Sequence, residues 1–316
     1  MRLALAGDTM LGRGVAQRLV DAPTSLVAPD VAAACREADV FVLNLECCIS
    51  ERGRPWPDAA KPFFFRAPPS AVETLTHLGV DCVTLANNHA LDFGEEALLD
   101  TLGHLDRAGI AHVGAGPDEA SARAQAVVEA DGHRLAVLGL SDHPAQFGAG
   151  RDRPGIAFAD LARGVPGWVM EAVQRPEAEP LLVTPHWGPN MTTAPVRHVR
   201  EAARALVEGS ATLVAGHSAH VFHGVTDRVV FNLGDFVDDY AVDPRLRNDL
   251  GLLWFVELAG GVPRRLEALP LKLEYCHTRR AEGDDAVWIR RRFRTASVAM
   301  GTEVTEEDGR MVVDWR

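Results

Sequence analysis

Arg2-Leu3-Ala4-Leu5-Ala6-Gly7-Asp8 is a short apolar run that closes on a glycine and then a carboxylate. An apolar run of this length bounded by polar residues reads as a buried strand. A charged side chain at its end has no packing reason to be there. Ligand sites of α/β proteins gather at the carboxyl ends of strands, so Asp8 marks both a fold class and a candidate site. The same signature recurs at Asn44-Leu45-Glu46, Ala86-Asn87-Asn88-His89, Thr184-Pro185-His186 and Gly216-His217-Ser218-Ala219-His220. Five polar strand ends in one chain point to a single converging site.

Working outward from the first strand, Val40 to Leu43 and Cys82 to Leu85 read as further buried strands. Val31 to Ala38 and Ser70 to Leu78 have helical spacing between them, the second introduced by Pro68-Pro69. Strand, helix, strand in succession implies parallel pairing with right-handed crossovers. Gly94 to Ala108 continues the pattern as a helix ending at Gly109, followed by a strand at Ala111 to Val113. Ala124 to Glu129 and Arg134 to Leu140 flank Asp131-Gly132, a hairpin turn signal.

The second half offers a helix near Trp168 to Val173 and strands at Leu181 to Thr184, Thr212 to Ala215, Val229 to Asn232 and Leu252 to Leu258. A helix over Arg197 to Val207 separates the first two, and Gly260-Gly261 leads into an extended segment at Arg264 to Leu273. Two groups of strands, each with its helices, predict an α/β fold of two packed sheets with outer helical layers rather than one doubly wound sheet. The segment from Arg279 onward reads as a surface helix followed by a loosely held terminus. The expected division is a main domain over 1–278 and a helical extension over 279–316 packed on it.

A chain of 316 residues with 47% hydrophobic and 24% charged residues has ample apolar surface for such a core. Its net charge of -12 argues against nucleic-acid binding, which needs clustered basic residues along the phosphates. The N-terminal apolar run is too short for a signal peptide, and no stretch reaches membrane-spanning length, so a cytoplasmic protein is expected. Oligomeric state is not legible. The five cysteines lack CxxC spacing, and Cys47 and Cys48 beside Glu46 would point to opposite faces of a strand, so packing thiols are expected.

The candidate ligands comprise the carboxylates Asp8 and Glu46, the carboxamide of Asn88 and the imidazoles of His186, His217 and His220. That inventory suits two divalent ions with a bridging carboxylate, an arrangement that activates water and clamps a hydrolytic transition state. Mn, Zn and Fe are all compatible with it. Asn44 lies two residues from Glu46 and so shares its face of an extended strand. Asp92 is placed to orient His89, as such histidines commonly require.

In their order, Gly7-Asp8, Asn44-x-Glu46, Asn87-Asn88-His89, His186, Gly216-His217-x-x-His220 and Asn232-Leu233-Gly234 resemble the CapA family, named for capsule and poly-γ-glutamate synthesis. That family is similar to the calcineurin-like metallophosphoesterases. The resemblance runs from about Met1 to Tyr240. It implies a four-layer sandwich of two mixed β-sheets flanked by helices. It also makes Asp8 a ligand of one ion, Glu46 the bridge, Asn88 and His186 ligands of the other, and His217 and His220 a split pair. His89 would protonate a leaving group or stabilise a developing anion, with Asp92 behind it. Arg13, Arg66 and Asn44 would meet an anionic substrate, small or peptidic.

Two departures qualify the resemblance. The metallophosphoesterases place a histidine two residues after the first aspartate, where this chain has Met10, so the first metal site is expected to be weak, substituted or empty. After Leu233-Gly234 the family tends to have Asn, and this chain has Asp235, followed by Asp238 and Asp239. Metal-dependent hydrolysis of a phosphoester or γ-glutamyl-type amide ranks first among the functions implied. A metal-independent peptide or amino-acid epimerase, exchanging protons at Cα through a histidine and a carboxylate, ranks second. A non-catalytic polymer-handling role in capsule assembly ranks third. The loops expected to choose the substrate are Glu51 to Phe64 and Ser141 to Pro154.

Overall fold

A computed structural model describes residues 1–59, 61–130 and 132–315. Arg2–Thr9 lies inside the larger sheet. It runs parallel to Val40–Leu45, which is followed outward by Cys82–Thr84 and Ala111–Val113, all parallel. On its other side Leu250–Ala259 runs antiparallel, then Val262–Glu274, Arg310–Asp314 and Thr305–Glu307. The smaller sheet orders Val225–Thr226, Val229–Val230, Leu213–Ala215, Leu181–His186, His133–Ser141 and Ala126–Ala130. Its inner strands are parallel and both its edges antiparallel. Both sheets are therefore mixed.

Alternation along the strands assigns the layers. Leu3, Leu5, Val40 and Val42 point between the sheets, where they meet Val137, Leu182 and Leu213 of the smaller sheet. Ala4, Ala6, Phe41 and Leu43 point the other way, against Val15, Val31, Leu75 and Leu98 on the helices of the first half. The outer face of the smaller sheet buries Leu138 and Val183 against Val169 of Gly167–Gln174 and Val199 and Leu206 of Arg197–Glu208. The result is the expected sequence of helices, sheet, sheet and helices. A strand buried on both faces explains why these stretches are continuous apolar runs instead of alternating ones.

The helix over Gly94–Ala108 shows the local logic. Glu95 and Glu96 sit in its first turn and Arg107 in its last, each matching the helix dipole, and Gly109 ends it in a left-handed conformation at φ 71°.

Three differences from the sequence reading have physical causes. The first strand runs on to Thr9, because Asp8 and Thr9 pair in parallel with Asp235–Val237, a strand the sequence reading does not contain. Leu250–Ala259 and Val262–Glu274 return to the larger sheet and do not extend the smaller one. The terminus is not loosely held: after the helix Gly283–Val298 the chain forms a hairpin on the larger sheet, burying Met311, Val312 and Val313. The hairpin between Ala126–Ala130 and His133–Ser141 forms, although Asp131 of its turn lies outside the described residues.

Candidate metal centre

The carboxyl ends of the two sheets converge, and the polar strand ends meet there. Asp8 is fully buried at the end of the first strand, Glu46 follows Val40–Leu45, and His186 ends Leu181–His186. His217 and His220 come from the loop after Leu213–Ala215, in which Ser218 (φ 111°) and His220 (φ 59°) adopt left-handed backbone. Such conformations in residues other than glycine persist where the surroundings hold them, and they cluster at functional sites. Gly7 has a different constraint: a Cβ there would fall 1.8 Å from the Gly234 carbonyl oxygen. Asp8 N donates to that same oxygen at 2.9 Å.

Two clusters of ligating atoms form, and both include Asp8. One joins Asp8 with His186 and His217, the other Asp8 with Glu46 and His220. Asn44 Nδ2 donates to Asp8 Oδ1 (2.7 Å), and Ser218 N donates to Asp8 Oδ2 (3.3 Å). Asn87 fixes Asn44 in turn, donating to its Oδ1 at 2.9 Å. Asn44 thus acts on Asp8 in this structure. His186 Nδ1 and His217 Nδ1 face each other at 2.7 Å. Two lone pairs at that separation repel, so either one nitrogen carries a proton or both point at a cation.

Electrostatics divide the imidazoles. Burial, reinforced by the charge of His217, drives His186 well below the ordinary range. Burial also takes His217 down to about 4, against the pull of Asp8. Both are therefore neutral at pH 7, the form that binds metal. His220 goes the other way. Its burial is outweighed by Asp235 and Glu46, and its Nδ1 lies 2.8 Å from Asp235 Oδ1 and 3.3 Å from Asp8 Oδ2.

Burial would hold Asp8 up, but the hydrogen bond and charge of His220 bring it down. Burial, then the charge of Asp8, pushes Glu46 well up. Burial pushes Asp235 well up too, against the charge of His220.

Glu46 Oε1 and Oε2, Asn88 Oδ1, His186 Nε2 and Asp235 Oδ2 are buried without a hydrogen-bond partner. Native interiors seldom leave such atoms unpaired, and an excess of buried carboxylate oxygen beside neutral imidazole is what a divalent cation relieves. The donor set fits one or two divalent ions.

His89 stands beside this set. Its Nδ1 lies 2.6 Å from Asp92 Oδ2; with the carboxylate accepting, Nδ1 carries the proton and Nε2 is the nitrogen left outside that pair. Burial holds His89 below its ordinary pKa, outweighing Asp92. The ring stacks on Phe65 at 4.0 Å between centroids.

Lys61 is a member the sequence reading missed. Its ammonium lies 2.9 Å from Asp92 Oδ1 and donates to the Asn88 carbonyl at 2.7 Å. A lone lysine in a loop carries no signal. Asp235 did carry one, standing where the family tends to have Asn.

Arg13 and Arg66, expected to meet substrate, have protein partners here. Arg13 pairs with Asp239 at 3.4 Å and lies over the rings of Phe63 and Phe65. Arg66 covers the Phe93 ring at 4.2 Å and donates to the Arg52 carbonyl at 3.3 Å. Met10 is fully buried among apolar side chains, and its Sδ accepts from Gly12 N at 3.0 Å. The cysteines are free and buried, and burial pushes the thiol of Cys48 up to about 12. They are packing residues, as expected.

The family model of the bacterial capsule synthesis protein PGA_cap matches residues 2–240. A probable polyglutamine synthesis accessory protein of Mycobacterium tuberculosis is 34% identical over 288 residues, covering 84% of this chain and 74% of that protein. The PGA biosynthesis protein CapA of Bacillus subtilis is 27% identical over 242 residues, which are 75% of this chain and 63% of its own. Among solved structures, a hypothetical protein from Thermus thermophilus superposes with a TM-score of 0.50 at 15% identity, covering 86% of this chain and 99% of that one. The chain belongs to the PGA_cap family, as its resemblance to CapA implies. Among the described residues no helix is long and apolar enough to cross a membrane.

Proposed function

We propose that this PGA_cap family member is a metal-dependent hydrolase acting on a small or peptidic anionic substrate, at a phosphoester or γ-glutamyl-type amide bond. One observation carries the reading: Asp8 belongs to both ligand clusters, amid buried oxygens and a nitrogen that have no other partner. The names of the relatives, which speak of polyglutamine and PGA biosynthesis, support a glutamyl polymer or its precursor as the substrate class.

Divalent ions supply a nucleophilic water at neutral pH and polarise the bond under attack. Asp8, Glu46, His186, His217 and His220, with Asn88, would hold them. The chain's own residues do the remaining work. Asn44 and the Ser218 amide fix the two oxygens of Asp8, so the shared carboxylate keeps one orientation. His89, held through Nδ1 by Asp92, presents an unprotonated Nε2, which would take a proton from the incoming water and return it to the leaving group. Lys61 ties Asp92 in place, and Phe65 shields the other face of the imidazole from water.

Metal analysis of the isolated protein should find one or two equivalents of divalent metal, and chelation should abolish turnover in a screen of phosphoesters and γ-glutamyl peptides. Turnover that persists in demonstrably metal-free protein overturns the reading. Reactions run in deuterated water should leave no deuterium at an α-carbon, whereas incorporation there would mark an epimerase. The word accessory in the name of the Mycobacterium relative favours a second reading, a non-catalytic polymer-handling role. His89→Ala distinguishes it: the hydrolase loses about 10²–10⁴-fold in turnover with metal content intact, and a binding protein loses nothing.

A further inference from the structure

The loop that carries His217 and His220 is held from two sides by different parts of the chain. Its first half is gripped by the smaller sheet and the turn after His186. His217 N donates to the Pro185 carbonyl at 3.0 Å, Trp187 N to that of His217 at 3.1 Å, and Ser218 Oγ to that of Gly188 at 3.1 Å. Its second half, from His220 to Val225, is backed by the helix Gly283–Val298, which lies beyond the residues 2–240 matched by the family model.

The sequence of that helix shows what it contributes. Ile289 and Phe293 are four residues apart, so they share a face, and both pack in the same core as Phe222 of the loop. Arg292 stands beside them. Its guanidinium lies over the rings of Phe222 (5.2 Å) and Trp288 (5.3 Å), while Nη1 donates to the Leu246 carbonyl at 3.3 Å and Nη2 to the Phe222 carbonyl at 3.5 Å. Among the described residues no carboxylate pairs with it, and burial lowers its pKa with no charge to oppose the shift. A cation drawn out of water without a counter-ion is costly unless its donors are used. The two carbonyls account for its place. Backbone contacts complete the hold: a Cβ on Gly224 would fall 2.5 Å from the Ala296 carbonyl carbon, and Val225 N donates to Ser297 Oγ at 3.3 Å. His220 needs such support, because its left-handed backbone persists only where the surroundings impose it.

We infer that Arg292 is a positioning residue for the metal centre: by holding the Phe222 carbonyl, two residues from His220, it keeps that imidazole on the Asp8–Glu46 side of the site. The inference rests on the hydrolase reading for the ion that His220 would meet, and on the contacts between helix and loop for the hold itself. His186 and His217 are fixed from the other side and do not depend on it.

The test compares wild-type, Arg292→Gln, Arg292→Lys and Arg290→Gln proteins as full chains. Metal-free samples are titrated with Mn²⁺, and hydrogen exchange of the metal-free proteins is followed separately. Arg290 lies on the same helix and pairs with Glu306 at 3.5 Å, so its substitution controls for a loosened helix. Arg292→Gln should weaken one equivalent about tenfold and leave the other, the size of effect carried by groups behind a ligand. The amides from His220 to Val225 should exchange faster. Arg292→Lys keeps the charge but cannot fork between two carbonyls, so it should fall between wild type and Arg292→Gln. Arg290→Gln should change neither readout. Unchanged Mn²⁺ affinity or unchanged loop exchange in Arg292→Gln overturns the inference. Equal weakening of both equivalents, or the same losses in Arg290→Gln, overturns it too, since a general loosening of the fold then explains them. If the wild-type protein takes up no metal, the hydrolase reading fails; faster loop exchange in Arg292→Gln would still establish the hold, and unchanged exchange would remove it.

Discussion

The two halves of the metal centre share Asp8 and little else. The His186–His217 half is drawn from the smaller sheet and its following loop, and both imidazoles are neutral and fully buried. The Glu46–His220 half is crowded with carboxylate, because Asp235 pairs in register with Asp8 and bonds the same imidazole. The histidine expected from the metallophosphoesterase pattern would stand at Met10, just past the first strand and two residues beyond the shared ligand. Yet Met10 leaves no gap in the site, since its side chain packs in the helix-facing core with its sulfur tied to Gly12. The lesson is that a ligand position can be given over to the core without opening a void beside the site. Here an imidazole is absent and acidic oxygen is abundant, so this half would hold a cation by charge and the other by geometry.

Asp8→Asn breaks both halves together. Metal affinity should fall by more than about 100-fold, beyond what loss of a supporting contact costs, and stoichiometry by metal analysis should drop toward zero. An Asp8→Asn protein that keeps its full metal content would show that the two clusters do not share a ligand.

His186→Ala and His220→Ala separate the halves. Each should remove one equivalent and leave the other, with the ion beside Glu46 surviving loss of His186. If both ions leave together in either variant, the halves are one cooperative site.

His223 tests the loop that serves both. Burial holds its imidazole down at about 4, and it bonds the Thr192 carbonyl at 2.8 Å. Between its ordinary value of 6.5 and about 4, the unfolded chain takes the proton that the folded one refuses. Stability contributed by the neutral ring is whole above pH 6.5 and is lost as pH falls through that window, by up to roughly 3 kcal/mol. His223→Gln should flatten that acid limb in urea unfolding of the metal-free protein; an unchanged slope would mean that His223 is not refusing its proton.

Met10→Leu should do least. It conserves volume in an apolar setting, costing under about 1.5 kcal/mol, and metal content should not move. Loss of one ion would return Met10 to the ligand set.

The converging site was legible because polar residues cannot end buried apolar runs without a reason, and Asp8, Glu46, Asn88, His186, His217 and His220 all obey that logic. Sheet membership was less so. Leu250–Ala259 is as apolar as any strand of the smaller sheet, and only its antiparallel pairing with Arg2–Thr9 assigns it. The terminal hairpin was hidden because Glu303, Glu306 and Glu307 give that segment a solvated look, while Met311 to Val313 do the packing. Lys61 escaped because its role lies in where its loop folds.

Gly7 sets a boundary on how this protein can change over generations. With no room for even one methyl group against Gly234, the segments bearing Asp8 and Asp235 cannot drift apart or be retuned by substitution at that contact. The placing of the two carboxylates thus depends on a position that must carry no side chain at all.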